Sequence, residues 1–105
     1  IIRMAIFNNN IKYIESITID WETAFANDYV LEVATASDDR WLPFFDASVA
    51  ANSQAIKLSQ SKQHVVHTIS IAKDFPNGIS KLRLYIRRGA TRWGVSVWRF
   101  NVIGK

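Results

Sequence analysis

Apolar side chains recur at every second position through most of the chain, the spacing that sends successive residues to opposite faces of a sheet. Ile2, Met4 and Ile6 alternate ahead of the polar run Asn8-Asn9-Asn10, and Ile17, Ile19 and Trp21 alternate with Thr18, Asp20 and Glu22. This predicts two strands around a turn. Leu31 and Val33 flank Glu32 between Tyr29 and Ala36, Ser37-Asp38-Asp39 supplies turn chemistry, and Arg40 to Phe45 returns, the pattern of a hairpin. Ile56 and Leu58 mark a short strand, while Val65, His67, Ile69 and Ile71 share one parity. Pro76 and Asn77-Gly78 predict a loop over 74–78. Beyond it Leu82, Leu84 and Ile86 face one way, and Lys81, Arg83, Tyr85 and Arg87 the other, giving a core face and a wet face. Ser96, Trp98, Phe100 and Val102 alternate with Val97, Arg99, Asn101 and Ile103 in a closing strand.

Residues 47–55 are small and polar, a loop or single helical turn. Roughly eight short strands with no long helical stripe predict an all-β fold, an antiparallel β-sandwich or barrel. Trp21 and Trp98 share parity with apolar neighbours and read as core.

Length and composition narrow the picture. The 105 residues suit a single domain spanning 1–105, and 49 % hydrophobic against 21 % charged residues is the balance of a folded globular chain. Thirteen Lys and Arg against nine Asp and Glu give +4, a mild preference for anionic partners that falls short of a nucleic-acid binder. With no cysteine there is no disulfide framework and no thiolate metal site. No apolar run approaches the ~20 residues of a membrane-spanning helix. The opening Ile1-Ile2, without an initiator Met, reads as strand and as part of a longer chain.

Candidate chemistry is sparse. His64 and His67 differ in parity, so a regular strand points them to opposite faces and they cannot share a metal. Asp20 and Glu22 share a face, as carboxylates on any solvated strand do, and form no evident acid–base pair. No Gly-rich phosphate loop, Ser-His-Asp order or Cys-His pair is present, so the chain is expected not to be an enzyme in its own right. Asp38 and Asp39 supply oxygen ligands of the kind calcium takes, but an acidic hairpin turn needs no ion and the pattern of an EF-hand loop is absent.

Sugar recognition requires a flat aromatic face beside planar polar groups. Arg88, Arg92 and Trp93, expected in a loop between two strands, offer both. Trp41, just after the acidic turn and close to Phe44 and Phe45, forms either a second aromatic edge or part of the core, with core packing preferred.

Two segments carry a family resemblance. RRGATRWGVSVWRFNVIG, residues 87–104, resembles the closing strand of discoidin, or coagulation-factor type C, domains. ITIDWETAFANDYVLEVATASDDRW, residues 17–41, is similar to that family's Trp-Glu strand end, Ala-x-x-Tyr connector and acidic hairpin followed by Trp. Arg99 departs from the Glu common there. The resemblance implies a galactose-binding-like jelly roll lacking its N-terminal part, those strands either lying on a separate segment or being absent from a shortened variant of the domain. It further implies a secreted or surface location, a structural calcium among cofactors, and binding of oligo- or polysaccharide, acidic sugars included, by a module attached to a polysaccharide-degrading enzyme. The alternative is an adhesion or structural module that binds protein or anionic lipid. Neither reading involves nucleic acid.

Overall fold

A computed structural model describes residues 2–22, 24–35, 38–62, 64–89 and 96–105. Among these residues six strands and one helical turn follow in order: β1 (Ile2–Trp21), β2 (Ala26–Thr35), β3 (Asp38–Asp46), α1 (Ala50–Ser53), β4 (Ile56–Gln60), β5 (Val65–Gly89) and β6 (Val97–Gly104). All pairings are antiparallel, and they join the strands into one sheet of order β3-β2-β5-β1-β6, with β4 on the flank of β5. The expected all-β antiparallel class is what the chain adopts. Its hydrogen bonds form one continuous network rather than two separate sheets.

The strands are fewer and longer than the alternation predicts. The Asn8–Asn10 turn and the 74–78 loop are both absorbed into strands, β1 and β5, of 20 and 25 residues. At about 3.3 Å per residue β1 alone would reach about 66 Å if straight. The molecule measures 39 Å in its longest dimension, so both strands must bend. Irregular pairing shows where. Ile6 pairs with Lys81 and Ile11 with Ile79, setting residues 7–10 against one partner; Tyr13 pairs with Asp74, setting residues 75–78 against Lys12. Extra residues on one strand bend and twist a ladder locally.

Backbone conformation fits these bends. Gly78, at φ 76°, adopts a left-handed geometry that L side chains resist, and Asn10 lies 3.1 Å from where its Cβ would stand. Ala72, at φ 48°, occupies the next irregularity, between the pairs Ile14–Lys73 and Ser16–Ser70.

Bending closes the apolar face of the sheet upon itself. Ile14, Ile17, Ile19 and Trp21 of β1 cluster with Tyr29, Leu31 and Val33 of β2, and with Val65, Ile69, Leu82, Leu84 and Ile86 of β5. The parity predicted for Ile17, Ile19 and Trp21, for Leu31 and Val33, for Val65 and Ile69, and for Leu82, Leu84 and Ile86 holds, and Trp21 is fully buried as expected. His67 follows the same parity into the core, ringed by Trp21, Phe25 and Tyr29 at 5.7, 6.0 and 5.8 Å between ring centroids. Its Nδ1 lies 3.0 Å from the Tyr29 hydroxyl. Burial pushes the Tyr29 phenol up, so it keeps its proton and donates, while burial lowers His67 to about 4 and leaves the imidazole neutral to accept. This bond ties β2 to the first half of β5.

Candidate functional site

The face opposite the core carries the charged and aromatic residues. In the second half of β5, Arg83, Tyr85 and Arg87 point away from the core because Leu82, Leu84 and Ile86 point in. Register places Glu32 beside Arg83 and Val30 beside Tyr85, and β3 adds Pro43 opposite Glu32 and Asp46 opposite Val30. These residues line an open groove of about 490 Å³.

Its polar groups are paired and oriented. Arg83 Nε donates to Glu32 Oε1 at 2.8 Å, and both side chains are largely sheltered. The Arg83 guanidinium also lies 4.5 Å from the Trp41 ring centroid and 5.6 Å from that of Tyr85. A guanidinium stacks on an indole face through its flat, weakly hydrated surface. At the far end Arg87 Nε donates to Asp28 at 2.8 Å, while its Nη2 reaches Asp46 at 2.5 Å and Ser48 Oγ at 3.1 Å. The Asp46 bond, aided by Asp28, raises Arg87 further above its usual range. Partial burial alone would raise the Asp46 carboxyl, but hydrogen bonds from Ser48 and Arg87 outweigh it and hold the group below the usual carboxylate range. The groove thus presents two guanidiniums, two carboxylates and the Tyr85 ring, with Asp28 bonded to Arg87 and Trp41 stacked on Arg83 at its margins.

The four residues singled out from sequence fare differently. Trp41, expected to pack in the core, is half-buried outside the core cluster, because it lies over Arg83 on the outer face; Phe45 is buried and Phe44 packs edge-on against Phe75 at 5.5 Å. Arg88 is exposed, and it lies within β5 rather than in a loop, because Ala26 and Asp28 extend the ladder to Gly89 and Arg88. Arg92 and Trp93 lie outside the described residues. Arg83, Tyr85, Glu32 and Arg87 were legible only as a wet strand face; what marks them as a site is the register that sets each Arg beside a carboxylate.

A second cluster stands on the other half of the sheet. Trp98, expected in the core, is 54 % exposed. The pairs Asp20–Arg99 and Trp21–Val97 leave Trp98 as an extra residue, and that bulge overrides the parity it shares with Phe100 and Val102. Its ring stacks on His64 at 4.2 Å and 6°, and His64 Nδ1 lies 2.9 Å from Asp20 Oδ1. His64 and His67 do point to different faces. Among the described residues no group of three or more His, Asp or Glu is placed to hold a metal. Asp38 instead takes the backbone N–H and guanidinium of Arg40, which lower its pKa.

Two further hollows are less equipped. A cleft of about 170 Å³ between Val33–Thr35, Leu42 and the bend at Asp74–Ile79 is mostly apolar, and one of about 220 Å³ lies between Tyr13, Glu15 and the chain end. Neither sets an aromatic face beside paired polar groups. No protein-family model matches the chain, and no curated protein or solved structure matches it either.

Proposed function

We propose that the chain is a non-catalytic carbohydrate-binding module whose ligand lies in the groove formed by β2, β3 and β5. The observation that carries this reading is an open groove lined by Arg83, Glu32, Arg87, Asp46 and Tyr85, with Asp28 paired to Arg87 and Trp41 stacked on Arg83 at its margins. Each sugar hydroxyl both donates and accepts, so neighbouring hydroxyls are matched by a carboxylate and a guanidinium side by side. The ring's C–H face rests against an aromatic surface. Every groove carboxylate is engaged by an arginine, an arrangement that supports binding over hydrolysis, since a general acid must be free to give its proton.

Charge accounting refines the ligand. Two guanidiniums and two carboxylates line the groove, and at its margins Asp28 adds a third carboxylate and Lys81, over Trp41, a third cation, so the site has no surplus positive charge to attract uronates or sulfates. A neutral glycan is the better fit than an acidic one. The bent sheet, closed on its own apolar face, is compatible with the jelly-roll, galactose-binding-like sandwich expected from the discoidin resemblance, and we carry that fold reading, with a secreted or surface setting beside a polysaccharide-degrading enzyme, as part of the proposal.

A glycan array followed by calorimetry tests it. Neutral oligosaccharides bind with micromolar to millimolar Kd, about −8 to −4 kcal/mol, and Tyr85→Ala or Trp41→Ala weakens the best of them about tenfold or more. A blank array, or affinity untouched by both substitutions, overturns the groove as the site.

One observation favours a protein-interaction role as a second reading. Over Ile2–Ile6, β1 pairs with β5 alone among the described residues, and Met4 and Ile6 are 49 % and 72 % exposed along that open edge. Strand edges of this kind accept an added strand. Retention of the glycan-free module on its parent protein, abolished by Ile6→Lys, would support it.

A further inference from the structure

Beyond the groove, and resting on the same carbohydrate reading, we infer that the outer face of β4, the first half of β5, the second half of β1 and β6 is a second glycan-binding face with Trp98 as its platform. The register builds this face row by row. Lys57, Thr68, Thr18 and Asn101 stand abreast on four strands, with Ser59, Val66, Asp20 and Arg99 in the next row toward Trp98. Ser16 and Ser70 continue it beyond. Strands about 4.8 Å apart make this a flat surface about 14 Å wide, faced mostly by hydroxyl, amide and short polar side chains.

A solvated sheet face has such residues without any ligand; Trp98 is what sets this one apart. Here one face of the ring is covered by a coplanar imidazole, and that imidazole is pinned by a carboxylate from a third element. The indole is therefore held still with half its surface free, and ordering a stacking partner costs little further side-chain entropy. A ring with an apolar face and hydroxyl rim matches both parts: it stacks on the free side of Trp98 and sets its rim against the Asp20, Thr18 and Asn101 rows. A protein partner would require a broader apolar centre; large exposed apolar side chains here are Trp98 at one end and Ile103 at the other.

The test separates this face from the groove. Isotope-labelled protein carrying Tyr85→Ala, which disables the groove, is titrated with cellohexaose, xylohexaose and mannohexaose while backbone amides and indole N–H resonances are followed. At least one of the three is expected to shift the Trp98 indole together with the Thr18, Thr68 and Asn101 amides, and adding Trp98→Ala is expected to weaken that response at least tenfold. If Trp98→Ala disturbs the core amides, His64→Ala replaces it, since it frees the indole without removing it and is expected to weaken binding severalfold. Shifts confined to Arg83, Tyr85 and their neighbours in the parent protein, and lost with Tyr85→Ala, overturn the second face and leave the groove standing. Shifts at Trp98 alone support the second face and overturn the groove; silence from all three sugars at both places overturns both.

Discussion

His67 sets the acid limit of this protein. Its folded-state pKa of about 4 lies below the ordinary 6.5, so the unfolded chain takes up a proton that the core refuses. The stability this protects is fully present above pH 6.5 and drains away as the pH falls toward 4, a loss of about 3 kcal/mol. Urea unfolding at intervals from pH 7.5 to 4 reads this directly; His67→Gln, which keeps an acceptor for the Tyr29 hydroxyl, is expected to flatten that part of the profile. Two backbone positions give opposite results. Ala72→Gly relieves a left-handed alanine on an exposed bulge, and against the entropy glycine adds to the unfolded chain the net effect is zero to about 1 kcal/mol of stabilisation. Gly78→Ala meets both the positive φ and Asn10, and is expected to cost about 1 to 2 kcal/mol by thermal or urea unfolding.

At the scale of elements, parity was legible and continuity was not. Alternation alone assigned Ile17, Ile19, Trp21, Leu82, Leu84 and Ile86 to the core, because a buried face leaves a period of two in the sequence. The polar run Asn8–Asn10 and the Pro76-Asn77-Gly78 segment carry honest turn chemistry, yet both lie in strands, because whether such residues end a strand or bulge from it depends on a partner many residues away. The same nonlocal cause hid Trp98, whose parity is correct for Phe100 but is broken by one extra residue opposite Asp20 and Trp21. Edges follow another logic. β3 carries Pro43 and the charged Asp38 and Arg40, and β4 has five residues, whereas the open stretch of β1 is guarded by Arg3 alone among the described side chains. Ile6→Lys is therefore expected to leave unfolding free energy within about 0.5 kcal/mol and to reduce self-association in light scattering at high protein concentration.

For the whole molecule, charge balance makes a prediction that composition does not. A net charge of +4 points toward anionic ligands, but the arginines of the groove are already answered by carboxylates. Binding of a neutral oligosaccharide is expected to change less than about twofold between 0.05 and 0.5 M NaCl, because buried or paired charges respond weakly to screening; a steep salt dependence would mean the ligand is anionic. The site itself was half-readable: Trp41 and the basic strand were visible, while the pairing of each arginine with a carboxylate from β2 or β3 exists only once the strands are aligned. The central place of β5 has a last consequence. Ile2 lies beside Tyr85, almost the whole chain away, and β2 and β4 also lean on β5. A ribosome making this protein releases β1, β2 and β4 before the strand they all pair with exists, so their edges toward it wait uncovered, and closure afterwards is slow, roughly milliseconds to seconds as for other folds dominated by distant contacts.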